Sequence, residues 1–329
     1  MAHTALVTGG AGFIGSHTVD KLVGSGYSVV GLDLLTYAGN INNLSSSIND
    51  ITFYEGDICD SALVKKIVDD HDIGCIINFA AETHVDNSIV DASEFIRTNV
   101  EGVRNLLDVC KNSGTLFFQI STDEVYGSCE IGSFSETDKL EPRNPYSASK
   151  AAAEHLVTSY RNTFDIDYLM VRMSNNFGPR QNSEKFIPTI LNSLSRGDKI
   201  PIYGDGKNVR DWLYVKDCAE IICKLLELAP INQTYNISFN NERENIYVVN
   251  KLLGILELEF DECATFVKDR PGHDFRYALN SNKIKKELKW KPKTKLTSGI
   301  LNTVNWYLNN LSFYKNISKK LFINRLGVK

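Results

Sequence analysis

The sequence has no apolar run approaching the ~18 residues of a helical membrane span, which excludes an integral helical membrane protein. It also lacks an excess of either charge. With 36 Lys and Arg against 40 Asp and Glu, the net charge is −4. No general basic field for nucleic acid exists, so an anionic ligand would need a local pocket. Cysteines are few and unpaired in spacing: seven, at positions 59, 75, 110, 129, 218, 223 and 263, with no C-x-x-C. An odd, scattered set argues against a disulfide framework and against a zinc site, and for a reducing compartment. The start, His3-Thr-Ala-Leu-Val-Thr8, has neither a charged n-region nor an apolar h-region. The expectation is a cytoplasmic protein without a signal peptide, a metal, a nucleic-acid partner or a membrane partner.

What is present is an ordinary globular composition, 43% hydrophobic over 329 residues, enough to bury one large core or two modest ones. Short β-branched runs near 3–8, 28–33, 51–55, 74–79, 115–120 and 166–171 read as strands. Helical patterns near 13–25, 60–70, 91–112 and 146–164 separate them. This alternation predicts an α/β fold with a Rossmann-like, doubly wound parallel sheet. After Arg172 the alternation gives way to Asn-, Gly- and Pro-rich loops. A soft boundary near 173–180 therefore divides an NAD-binding domain, 1–175, from a smaller C-terminal α/β substrate-binding lobe, 176–310, with the two lobes interleaving. The basic segment 311–329 reads as a tail.

The first strand runs into Thr8-Gly-Gly-Ala-Gly-Phe-Ile-Gly15 and then the first helix. Gly9, Gly12 and Gly15 form a G-x-x-G-x-x-G variant of the dinucleotide fingerprint, allowing a tight turn, close approach to pyrophosphate and close helix–strand packing. A glycine triplet alone is weak; its strand–turn–helix setting is what gives it weight. Asp33 ends the second strand, where a carboxylate accepts from ribose and repels a 2′-phosphate, favouring NAD over NADP. Asp57 and Ile58, after the third strand, are placed to meet adenine, with a helix N-cap as the equal alternative for Asp57.

Tyr146-Ser-Ala-Ser-Lys150 opens a predicted helix, and residues four apart share a face. A phenol at its ordinary pKa of ~10 is a poor base at neutral pH, and a neighbouring ammonium, with the positive nicotinamide ring, is expected to lower it. For a lone Y-x-x-x-K, a surface Tyr beside an exposed Lys is the commoner outcome. Here Ser121-Thr-Asp-Glu-Val-Tyr-Gly127 falls at the carboxyl end of the fifth strand, where open α/β sheets bind ligands. Thr122 is placed to hold a substrate hydroxyl beside Tyr146. Asp123 and Glu124 are an adjacent carboxyl pair suited to proton transfer rather than to a buried strand end.

Together these segments resemble the dTDP-glucose 4,6-dehydratases of the extended short-chain dehydrogenase/reductase superfamily. The similarity runs through TGGAGFIGS (8–16), LTYAGN (35–40), AAETHVD (80–86), STDEVYG (121–127), YSASKA (146–151), NNFGPRQ (175–181), YGDGKNVRDWLYV (203–215), NERENI (241–246) and DRPGHDFRYA (269–278). The resemblance implies a nucleoside-diphosphate-glucose substrate, dTDP- or UDP-linked, converted to its 4-keto-6-deoxy product with NAD held tightly and regenerated. By it, Tyr146 with Lys150 and Thr122 deprotonates the C4 hydroxyl, Glu124 removes the C5 proton, and Asp123 protonates the departing C6 hydroxyl. Phe13, Ile14, Ala80, Ala81 and Asn99 join the cofactor set. His84, Asn176, Lys185, Arg210, Asn245, Arg270, His273 and Tyr277 become candidates for the nucleotide sugar, with Pro201 and Tyr203 framing the base. Arg210 and Arg270 suit bidentate diphosphate binding. A homodimer through the helices near 91–112 and 146–164 is also implied.

Thr83, Asn87, Phe177 and Arg180 depart from the family pattern, and are expected near the nucleotide pocket, leaving thymidine against uridine open. The rival readings are a UDP-sugar 4-epimerase or decarboxylase of the same superfamily, and an inactive dinucleotide-sensing protein. An epimerase has no use for the Asp123–Glu124 pair, and an inactive sensor would be expected to lose Tyr146, Lys150 or the carboxylates.

Overall fold

The computed structural model describes residues 4–269 and 271–310. Arg270 and the tail at 311–329 lie outside the described residues. Strand β1 (Thr4–Thr8) leads to helix α1 (Phe13–Gly24), then β2 (Ser28–Asp33), β3 (Thr52–Glu55), α2 (Ser61–His71) and β4 (Cys75–Asn78). Helices α3 (Val85–Val90), α4 (Ser93–Ile96) and α5 (Val103–Ser113) precede β5 (Leu116–Thr122), α6 (Pro145–Phe164) and β6 (Tyr168–Met173). Beyond these come β7 (Asn175–Phe177), α7 (Phe186–Ser195), β8 (Ile200–Tyr203), β9 (Val209–Tyr214), α8 (Val215–Leu228) and β10 (Gln233–Ile237). The described chain closes with β11 (Glu242–Glu244), α9 (Asn245–Ile255), α10 (Phe260–Cys263), β12 (Ala264–Val267), α11 (Asn282–Leu288) and α12 (Leu296–Asn309).

Among the described residues the main sheet has seven strands in the order β3-β2-β1-β4-β5-β6-β10, every pair parallel. Successive side chains on a strand face opposite sides, and β1 shows it. Ala5 and Val7 pack with Leu22 of α1 and Ile221 of α8. Leu6 packs with Ile67 of α2, Leu106 of α5 and Val157 of α6. Both faces are therefore covered, which is why the strands read as nearly continuous apolar runs. Strand order reverses between β1 and β4, opening a crevice at their carboxyl ends.

The single helix expected over 91–112 is interrupted. Asp91 is extended and its carboxylate accepts from Ser93 N at 2.9 Å, a local turn that competes with helix. A π-helical stretch, Arg97–Gly102, then precedes α5. Gly102 packs so tightly on Ile58 that a Cβ there would lie 2.5 Å from its side chain. The seventh strand, β10, comes from beyond residue 176 and pairs with β6, while α8 covers the sheet against α1. The second lobe has its own core of Phe177, Ile187, Trp212, Val248, Leu252 and Ile300. Among the described residues no helix is long and apolar enough to cross a membrane.

Candidate active site

The turn after β1 is shaped by its glycines. Gly9 has φ of 66°, and a Cβ there would stand 2.7 Å from the Ala80 amide nitrogen. A Cβ at Gly15 would collide with the Gly9 carbonyl oxygen. Helix α1 has no side-chain cap at Gly12, so its first amides face the crevice, the usual arrangement for binding an anion. Asp33 Oδ2 accepts from Ala11 N at 3.0 Å, and its Oδ1 accepts from Leu35 N at 2.8 Å. Burial pushes this carboxyl up, and the amides of Leu35, Ala11 and Gly12 oppose that push.

Gly9, Gly12, Asp33, Asp57, Ile58, Ala80 and Ala81 line one end of the crevice. Gly12, Phe13, Ile14 and Gly15 continue it toward Thr122, Tyr146 and Lys150. These groups fit a dinucleotide: an uncapped helix end for pyrophosphate, and an acid at the β2 terminus for ribose. Asp57 is not the cap of α2; Asp60 accepts from Ala62 N and Leu63 N. Asp57 instead accepts from Cys59 N at 2.8 Å and pairs with Arg97. Asn99 does not line the crevice. Its amide is spent on the Glu82 backbone and on Ser149 Oγ, holding the 80–82 segment from behind.

At the end of β5, Thr122 caps a 3₁₀ turn, Asp123–Tyr126, accepting from Glu124 N at 3.3 Å. This turn is the bend that lets two consecutive carboxyls serve one cleft, since on a continuing strand they would point apart. Asp123 is buried; its Oδ1 accepts from Thr122 and its Oδ2 has no partner among the described residues. Burial, and then the charge of Glu124, hold its carboxyl well above the usual range, against Arg210 and the Thr122 hydroxyl. Glu124 Oε2 lies 3.4 Å from both Asn144 Nδ2 and the Tyr277 hydroxyl.

Helix α6 starts on a capping box at Asn144 with Pro145 in its first turn, which fixes the position of the next residue, Tyr146. Tyr146 hydrogen-bonds with Thr122, and its ring packs edge-on to Phe95. From the protein's own groups, the phenol is pushed up from its ordinary range. Burial is the largest cause, followed by the charges of Glu124 and Asp123. The Lys150 ammonium, one turn on along α6, donates from Nζ to Ile120 O at 2.7 Å. Burial lowers that ammonium to about 8, and Glu154 opposes the shift.

A second cleft adjoins the turn. His84, Lys185, Pro201, Tyr203, Arg210, Asn245 and His273 line it together with Glu124. Asn176 faces the cofactor side, its Oδ1 buried without a partner among the described residues. His84 Nδ1 accepts from Asn87 N at 3.2 Å, capping α3. Lys185 Nζ donates to Thr83 O at 2.9 Å and to Thr83 Oγ1 at 3.1 Å. Tyr203 OH donates to Asp86 Oδ2, and His273 Nδ1 lies 2.6 Å from Asp269 Oδ1.

Arg210, which lines this cleft, is also held from the protein side. Its guanidinium donates to the carbonyls of Val209, Asp274 and Phe275, and stacks 4.2 Å from the Tyr277 ring centroid. Tyr277 is buried behind it and does not line the cleft. Of the four family departures, only Thr83 lines the cleft. Phe177 is in the second-lobe core, and Arg180 pairs with Asp20 of α1 at 2.8 Å. Sequence reasoning missed Glu184, Trp212 and Asn175 as lining residues. Trp212 lay inside a matching segment, whereas Glu184 carried no signal.

The model of the GDP-mannose 4,6 dehydratase family matches residues 6–303. A dTDP-glucose 4,6-dehydratase of Xanthomonas campestris pv. campestris (strain B100) is 43% identical over 335 residues, covering 95% of each chain. The low-salt glycan biosynthesis protein Agl12 of Haloferax volcanii is 47% identical over 309 residues, covering 93% of this chain and 98% of that one. The crystal structure of DesIV, a dTDP-glucose 4,6-dehydratase from Streptomyces venezuelae solved with NAD bound, superimposes with a TM-score of 0.92 at 39% identity. That match covers 97% of this chain and 99% of DesIV.

Proposed function

The chain belongs to the nucleotide-sugar 4,6-dehydratase family of extended short-chain dehydrogenase/reductases, and we propose that Thr122, Asp123, Glu124, Tyr146 and Lys150 carry its reaction. It converts a nucleoside-diphosphate-glucose to the 4-keto-6-deoxy sugar and water. The observation that supports these roles is the 3₁₀ turn, which brings a carboxyl held well above the usual carboxylate range and a second carboxyl to the cleft that holds Tyr146.

When bound, NAD accepts the hydride from C4 and returns it to C6, and its positive ring favours the Tyr146 phenolate. The chain's own groups handle the protons. Thr122 and Tyr146 hold the C4 hydroxyl between them, and Tyr146 Oη takes its proton. With C4 a ketone, the C5 proton is acidic, and a carboxylate oxygen of Glu124 removes it. Asp123, protonated in its buried site, gives its proton to the C6 hydroxyl, which leaves as water. Glu124 then returns a proton to C5. The proton held at Tyr146 balances the one lost from Asp123, and its transfer across the pocket resets the site. Lys150 keeps a positive charge near this chemistry while its bond to Ile120 O ties α6 to β5.

His84, Asn176, Lys185, Asn245 and His273 are the groups best placed for the sugar and diphosphate, with Pro201 and Tyr203 at the base. A homodimer through the 91–112 segment and α6 is supported by exposed Ile96 at the end of α4 and exposed Phe164 at the end of α6. Sedimentation as a monomer at micromolar concentration would refute it. A cytoplasmic location follows from the free cysteines and from the nucleotide-sugar substrate.

The test of function is incubation with dTDP-glucose and UDP-glucose separately, without added NAD, followed by product mass. Loss of one water from either is the expected result. No loss from either, even after NAD is supplied, would refute the dehydratase reading for glucose.

A further inference from the structure

Behind the acid–base turn lies a buried polar network that the reaction does not touch. Glu154 sits on α6 one helical turn beyond Lys150 and two beyond Tyr146, and is 2% exposed. Its Oε1 accepts from Ser121 Oγ at 2.5 Å, and its Oε2 accepts from Arg172 Nε at 2.9 Å and Nη2 at 2.7 Å. Arg172, on β6, donates through Nη1 to the Tyr126 hydroxyl and to Glu136 O. The Tyr126 hydroxyl donates onward to Asn236 Oδ1 on β10 at 2.9 Å.

The placement of the two outer members matters. Ser121 immediately precedes Thr122, and Tyr126 closes the 3₁₀ turn. Both ends of the stretch that carries Thr122, Asp123 and Glu124 therefore hang on one ion pair. The acidic half of that pair belongs to the helix that carries Tyr146 and Lys150. A buried ion pair is a poor source of net stability, because desolvation offsets the attraction. Its distinctive contribution is direction: every lone pair and N–H used here points to one partner.

We propose that the Glu154–Arg172 pair is a positioning device for dehydration. It fixes the Asp123–Glu124 turn relative to Tyr146, so that C4 oxidation and C5/C6 elimination meet the same bound sugar. This rests on the dehydratase reading above. Tyr146 and Lys150 ride directly on α6, whereas Asp123 and Glu124 sit on a separate turn whose two ends meet α6 through Ser121, Tyr126 and the pair, with the Asn144 amide of the α6 cap a longer contact to Glu124 at 3.4 Å. Loosening the network therefore displaces the eliminating groups more than the oxidising ones.

The test is Tyr126→Phe and Ser121→Ala, each removing one hydroxyl, with Glu154→Gln as the harsher variant. For the two mild variants kcat is expected to fall roughly tenfold or more, since displacements near 1 Å can cost up to a hundredfold, with KM little changed. Elimination slows more than oxidation, so the near-ultraviolet absorbance of reduced nicotinamide builds up during turnover. A merely structural role would lower the folded fraction without that build-up. Folded Tyr126→Phe and Ser121→Ala enzymes that turn over without it overturn the proposal, even if Glu154→Gln fails to fold. A wild-type enzyme that releases no water from either nucleotide sugar would instead sink the dehydratase reading itself.

Discussion

Replacing Asp123 with Asn separates shape from proton supply. The carboxyl is 4% exposed, its Oδ2 is unpartnered among the described residues, and burial with the Glu124 charge holds its pKa well above the usual carboxylate range, which favours the neutral acid. The amide matches that neutral acid in size and charge but has no proton to give the C6 hydroxyl. Loss of a positioned general acid typically costs 10²–10⁴-fold in rate, or about 3–5 kcal/mol of barrier. C4 oxidation does not use Asp123, so reduced cofactor and oxidised sugar should persist while water release nearly stops.

Stability should move the opposite way. Because the folded pKa is raised, the fold retains a proton that the unfolded chain releases above its ordinary pKa of ~3.9. Stability of the wild type therefore falls as pH rises from there toward the folded pKa, by at most about 1.4 kcal/mol per pH unit. Asn carries no such linkage. Asp123→Asn should be more stable than wild type at neutral pH, with the gap closing as pH approaches the ordinary value. Product mass, nicotinamide absorbance and urea unfolding at the two pH values measure all three effects. Near-wild-type dehydration, or a variant whose deficit in stability grows with pH, would refute the assignment of Asp123 as a neutral acid.

Three further outcomes follow from the same geometry. Asp33→Ala removes the acceptor for the Ala11 and Leu35 amides and the repulsion of a 2′-phosphate. Charge-assisted bonds are worth about 1.5–3 kcal/mol, so NAD should be retained tens of times less well and NADP tolerated, as read from cofactor content after gel filtration. Gly15→Ala drives a methyl into the Gly9 carbonyl, and should cost about 1–3 kcal/mol together with bound NAD; an unchanged melting temperature would refute the close contact. Lys150 has a folded pKa near 8 against 10.5 in the open chain. The fold bears the cost of a buried ammonium below 8, and that cost fades as pH rises through 10.5. Wild type should thus gain stability relative to Lys150→Met across that interval, and a flat difference in urea unfolding would show that the ammonium is not desolvated.

The fold was legible because both signals behind it are local. Runs such as Ala5–Val7 and Ile76–Ile77 are apolar since both faces of a parallel sheet are covered, and the glycines of the first turn are demanded by backbone contacts within it. The residues proposed to react stand out in the sequence for a similar reason, as each lies in a short segment at a strand or helix end. What was not legible depends on three-dimensional environment. The break at Asp91 is a side-chain turn inside an otherwise helical pattern. The upward push on Tyr146 comes from burial and from two carboxyls placed across the cleft, while Lys150, one turn away, bonds elsewhere. The bonds from Arg210 to carbonyls of the 274–275 segment, which hold it at the cleft, appear only when that segment folds back. Glu184 reaches the cleft only because α7 begins beside it.

Discrimination between nucleotide bases is limited by the same cleft. Beside Pro201 and Tyr203, the residues proposed to frame the base, the cleft carries Val85, Phe186 and Ile202, mostly apolar groups. Thymidine and uridine nucleotides differ by one ring methyl and one ribose hydroxyl. A methyl fitted into an apolar pocket is worth about 1–3 kcal/mol, and such a pocket rejects an added hydroxyl by only about a hundredfold. The two differences also sit at separate points on the ligand, so their effects should add. The ratio of kcat/KM for dTDP-glucose and UDP-glucose should then be a product of two modest factors, and dUDP-glucose, which has neither the methyl nor the hydroxyl, divides it into those factors. If either step alone exceeds about 10⁴-fold, the cleft must present a polar group that one nucleotide satisfies and the other leaves unpaired. In that event Asp86, already bonded to Tyr203 at the edge of the cleft, is the group to replace next.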